Sequence, residues 1–101
     1  MKVFLSQLAE SKLLKLNDFL IENWSLKVRN DFIKKLTSKI TQISTNPESC
    51  PQSFKYEGLY KCVVTKQTTF YYRIDSAKKE IEIITIFDSR QNPDNLAVDI
   101  I

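Results

Sequence analysis

The hydrophobic and polar positions divide the chain into a first half of period three to four and a second half of period two. Val3-Phe4-Leu5 is a short apolar run that reads as a strand, and the following Ser6 is suited to cap a helix. Ala9, Leu13, Leu16, Leu20 and Trp24 then recur at spacings of three and four. That puts them on one stripe of a helix ending near Asn23, with Glu10, Lys12, Lys15 and Glu22 on its polar face. Trp24-Ser25 breaks the pattern. Ser25 can cap a second helix, whose stripe reads Val28, Phe32, Leu36, Ile40 and Ile43 before Thr45-Asn46-Pro47 stops it. Two helices joined by so short a link form a hairpin. Pro47 to Gln52 contains two of the three prolines and reads as a loop hinging the helical half to the rest.

After Gly58, the only glycine, three strands are expected at Tyr60 to Thr65, Thr69 to Asp75 and Glu80 to Phe87. The turns between them are short enough to permit only antiparallel neighbours. The last strand, EIEIITIF, is apolar on both alternating faces, which suits a central strand buried on two sides. Pairing it with the N-terminal strand closes a sheet ordered first, fourth, third, second. The expected fold is a two-layer α+β domain of order β-α-α-β-β-β, spanning 1–101, with the helix hairpin on one sheet face and the other face open. Asp88 to Asn95 is a polar loop, and LAVDII reads as a short C-terminal helix or as a tail that docks on a partner.

Composition narrows the function classes. At 101 residues, 43% apolar and 27% charged, there is room for one core. No apolar run approaches the roughly 20 residues of a membrane span, and Glu10 interrupts what a signal peptide would continue, so a cytoplasmic protein is expected. Cys50 and Cys62 read as free thiols. The chain lacks histidine, which removes the usual zinc constellations and the commonest acid–base group. No metal, cofactor or small-molecule substrate is expected, and any catalysis would run on Lys, Arg, Tyr or carboxylates. The net charge of +3 favours acidic partners but is not the dense basic stripe of a dedicated nucleic-acid binder.

The order of these elements resembles the RelE/ParE superfamily of toxins. The residues that carry the likeness are Trp24-Ser25 at the helix break, the pattern from Phe32 to Pro47, F-Y-Y-R-I at Phe70 to Ile74, and I-E-I-I-T-I-F-D-S-R-Q-N-P at Ile81 to Pro93. The resemblance implies a growth inhibitor of a type II toxin–antitoxin system, held inactive by a cognate antitoxin. Two activities are implied. RelE-like members cut messenger RNA on the ribosome with basic residues of the open sheet face. Lys61 and Arg90 match that set, whereas Val63, Thr68 or Thr69, and Leu96 stand where a second lysine, an arginine and a tyrosine are expected. Each missing group costs RNA cleavage a factor of roughly 10² to 10³. ParE-like members poison DNA gyrase by binding, and the helix break, long second helix and relaxed basic set resemble that branch better.

Strand alternation places Thr69, Tyr71 and Arg73 on one face and Phe70, Tyr72 and Ile74 on the other, helix-facing one. Tyr71 and Arg73, with Lys61, then form the candidate surface, and Arg90 sits at its rim. An arginine beside an exposed tyrosine offers a phosphate or carboxylate fork next to a stacking ring. Two structural roles compete with this. Arg73 is placed to pair with Glu82 across the strands, and Arg90 to cap its loop through Asp88 or Asp94. Trp24 reads as a core anchor at the helix junction, and Phe54 and Tyr56 as packing under the loop. Lys34, Lys35 and Lys39 make a basic patch on the second helix.

Overall fold

The computed structural model describes residues 1–91. Strand β1 (Lys2–Leu5) leads into α1 (Gln7–Asn23) and α2 (Leu26–Thr45), followed by β2 (Tyr60–Val63), β3 (Thr68–Asp75) and β4 (Glu80–Asp88). The expected C-terminal helix or tail lies outside the described residues. The sheet order is β1-β4-β3-β2, with β1 parallel to β4 and the other neighbours antiparallel. This is the anticipated α+β arrangement, a helix hairpin packed on a four-stranded mixed sheet.

Each helix begins at the serine that the sequence marks. Ser25 Oγ accepts from the Val28 N–H at 3.0 Å, which satisfies one of the orphan donors of the first turn of α2. Ser6 does the same for Ala9 at 3.0 Å, and its hydroxyl also donates to the Ile84 carbonyl at 2.7 Å. That second bond ties α1 to an irregularity in β4. Tyr71 lies opposite Thr85 and Tyr72 opposite Ile83, so Ile84 is an extra residue, a β-bulge. The bulge flips the alternation. Ile81 and Ile83 face the helices before it and Ile86 after it, and all three are buried. The apolar pattern on both faces of EIEIITIF therefore reflects a register shift as well as a central position.

The core is formed by Ala9, Leu16 and Leu20 of α1 and Phe32, Leu36 and Ile43 of α2, packed against Cys62, Phe70, Tyr72, Ile81, Ile83 and Ile86. The Tyr72 hydroxyl stays satisfied by donating to the Pro47 carbonyl at 2.6 Å, which pins the start of the loop after α2.

Two expectations are corrected. Trp24 is not a core anchor: it is the C-cap of α1, with φ −125° and ψ −94°, so the chain leaves the helical path there and the ring stays 57% exposed. The sheet face away from the helices is closed at its middle rather than open. Tyr71 and Thr85, cross-strand neighbours on that face, are 5% and 0% exposed.

Candidate functional site

Lys61 and Tyr71 are cross-strand partners, and both line a cleft of about 560 Å³ between the end of α2, the 49–55 segment and β2. The Tyr71 ring is not an exposed stacking surface, as its neighbours suggested it would be. Tyr56, reaching over from the loop before β2, packs edge-on against it at 5.6 Å between ring centroids. Burial, and then the neighbouring Tyr56, push the Tyr71 phenol above its ordinary range. It is therefore poorly disposed to take a proton at neutral pH. Tyr56 itself is half-buried, whereas Phe54 does not pack under the loop but projects fully into solvent.

Arg73, two residues along the same face, is committed to its cross-strand partner: Nη2 donates to Glu82 Oε1 at 2.7 Å. The pair is largely exposed on the arginine side.

Arg90 is elsewhere. After the bulge Asp88 lies on the helix-facing side, opposite Thr68, and Arg90 folds back onto it. Its Nε donates to Asp88 Oδ1 at 3.0 Å, Nη2 to Oδ2 at 2.7 Å and its backbone N–H to Oδ1 at 2.9 Å. The Thr68 hydroxyl adds a 2.5 Å bond to Oδ2. Burial alone would raise the Asp88 carboxyl, but the hydrogen bonds from Arg90 and Thr68 outweigh it and hold the group below the usual carboxylate range. The same bonds push the Arg90 guanidinium up. Its other side covers the Trp24 ring at 5.5 Å, a cation–π contact that accounts for a tryptophan left outside the core.

The candidate set thus separates. Lys61 and Tyr71 meet at the β2 edge, Arg73 is neutralised by Glu82, and Arg90 belongs to the helix junction rather than to the rim of the other face. Among the described residues no group of His, Cys, Asp and Glu is arranged to hold a metal ion. The sequence pointed to the Arg90–Asp88 pairing through their spacing, but not to Thr68 or Trp24, which only the folded chain brings to that pair.

A family model described as the ParE toxin of the type II toxin–antitoxin system, parDE, matches residues 3–93. The chain belongs to the ParE toxin family. Solved structures carry the same fold. The chain is similar to a protein of the chromosomal ParDE toxin–antitoxin system from P. aeruginosa, with a TM-score of 0.72 at 12% identity, over 87% of this chain and 95% of that one. It is also similar to a YoeB/ParE toxin from Agrobacterium tumefaciens, with a TM-score of 0.63 at 15% identity, over 87% of this chain and 98% of that one. No curated protein matches it in sequence. As a ParE-family toxin it is a component of a toxin–antitoxin system, and no helix among its described residues is long and apolar enough to cross a membrane.

Proposed function

We propose that this toxin inhibits growth in the cytoplasm by binding DNA gyrase, without cutting RNA, and that a cognate antitoxin holds it inactive. The observation that carries this reading is the dispersal of the groups RNA cleavage would need. General acid–base cleavage at a 2′-hydroxyl requires a proton acceptor, a proton donor and free cations converging on one phosphate. Here Arg90 is saturated by Asp88 on the helix-facing side, Arg73 is engaged by Glu82, and the Tyr71 phenol is buried and raised. What is left is surface suited to gripping a partner. Membership of the ParE family supports gyrase as the target, and likeness to a member of a ParDE system supports an antitoxin partner.

The test is direct. Purified toxin is expected to inhibit gyrase supercoiling in a concentration-dependent way and to leave ribosome-bound messenger RNA uncut. Supercoiling that proceeds unchanged at high toxin, with new transcript ends inside translated codons, would replace this reading with the ribosome-dependent endoribonuclease.

A further inference from the structure

The segment after α2 runs back along β2 as a short antiparallel pairing, and its register brings the two cysteines together. Gln52 bridges Tyr60, flanked by a 2.9 Å bond from the Lys61 N–H to the Pro51 carbonyl and a 2.8 Å bond from the Ser53 N–H to the Leu59 carbonyl. Those bonds make Gln52 and Tyr60 a non-hydrogen-bonded pair, and Pro51 and Lys61 a hydrogen-bonded one. One step further, the same register sets Cys50 opposite Cys62 in the next non-hydrogen-bonded position. Such positions bring Cα atoms to about 4.5 Å, inside the roughly 4.4 to 6.8 Å that a disulfide spans.

The surroundings place the side chains. Cys50 and Cys62 both belong to the hydrophobic core, so both are turned to the same side of the pairing. Tyr72 holds the Cys50 segment against them: its hydroxyl donates to the Pro47 carbonyl at 2.6 Å, and burial, then Cys50 itself, push its phenol up. The thiols are near enough to act on each other, since Cys50 is, after burial, what raises Cys62. Both are free. Both also line the cleft beside β2, Cys50 7% exposed and Cys62 0%, so a small molecule entering there meets Cys50 first.

We propose that Cys50 and Cys62 are a redox modification site, closed by hydrogen peroxide into a cross-strand disulfide that fastens the 47–52 segment to β2. The Cys50 sulfur attacks one peroxide oxygen, the O–O bond breaks, and a sulfenic acid forms as the first water leaves. The Cys62 sulfur then attacks the Cys50 sulfur; the S–O bond breaks, and the hydroxyl departs with the Cys62 proton as the second water. Two thiols lose two electrons in all, and one peroxide is reduced to two waters. In a reducing compartment the bond forms only under oxidant and reopens by thiol exchange. The site does not depend on whether the toxin acts on gyrase or on RNA.

The full chain is treated with excess hydrogen peroxide, quenched, unfolded, alkylated with iodoacetamide and weighed intact. The untreated chain is expected to take two alkyl groups. The treated monomer is expected to take none and to have lost two hydrogens, and dithiothreitol to restore both thiols. Because the chain has only two cysteines, that loss in a monomer identifies the bond. The oxidised chain is also expected to melt at a higher temperature than the reduced one, since the fold accommodates the link while the unfolded chain loses freedom. Cys62→Ala is expected to stop at a sulfenic acid on Cys50, trapped by dimedone, and Cys50→Ala to leave Cys62 unmodified; if either variant fails to fold, the mass and melting of the native chain decide. The proposal is overturned if the treated monomer keeps two alkylatable thiols, if the cysteines gain oxygen in place of losing hydrogen, if they pair only between chains, or if the bond lowers the melting temperature.

Discussion

Asp88 is 2% exposed, and a carboxylate so deeply placed persists only because three donors from Arg90 and one from Thr68 fill its lone pairs. Asp88→Asn keeps the shape but leaves Arg90 without a counter-charge, and is expected to lower stability by about 2–3 kcal/mol in urea unfolding. The sign of the pH effect follows from the depressed carboxyl. Its contribution is complete above the unfolded-state value of about 4 and is lost as pH falls through the lower folded-state value, so the variant should lack that acid limb. Cys62 behaves in the opposite sense. Burial, with Cys50 beside it, pushes its thiol up to about 12, which favours the neutral form. Burial here penalises the thiolate rather than adding an interaction, so the folded state loses stability as pH rises from about 8.5 towards 12, and the native protein should leave Cys62 unreacted with a thiol reagent at pH 8 until it is unfolded.

At the scale of elements, Ser6 joins three of them. Its hydroxyl caps α1, bonds the bulge carbonyl of β4 and follows directly on β1, so Ser6→Ala removes a cap and a tertiary hydrogen bond together. A loss of about 1.5–3 kcal/mol is expected by thermal or urea unfolding, more than for Ser25→Ala, which removes a cap alone. The β3–β4 turn carries the one positive-φ residue other than glycine among the described residues, Lys79 at φ 53°. A side chain is strained there, so Lys79→Gly is expected to raise stability by about 0.5–1 kcal/mol despite its greater freedom when unfolded. The bulge at Ile84 is the element that the strand pattern did not announce. Period-two reading assumes unbroken alternation, and an inserted residue is visible only when the partner strand supplies the register.

Across the whole molecule, the basic candidates lie on different parts of the surface, which makes their energetic independence testable. Arg73→Ala should change stability by less than about 1 kcal/mol, because its ion pair is exposed, and the Arg73→Ala/Arg90→Ala double variant should be additive within about 0.5 kcal/mol. Marked non-additivity would mean a shared site. Periodicity and the two capping serines were enough to define β1, the helix hairpin, the three-stranded meander and the strand order, because backbone hydrogen bonding and burial of an apolar stripe act over neighbouring residues. Alternation likewise put Lys61, Tyr71 and Arg73 on one face. It could not show that Tyr56 would close over Tyr71, that the chain would turn Trp24 out of its helical stripe, or that the bulge would carry Asp88 and Arg90 to the helix-facing side. Those placements depend on residues up to tens of positions apart meeting in space. A rule about spacing along the chain carries no information on which of two faces, or which partner, a distant loop will cover, and so the element order was legible before folding and the fate of each candidate side chain only after it.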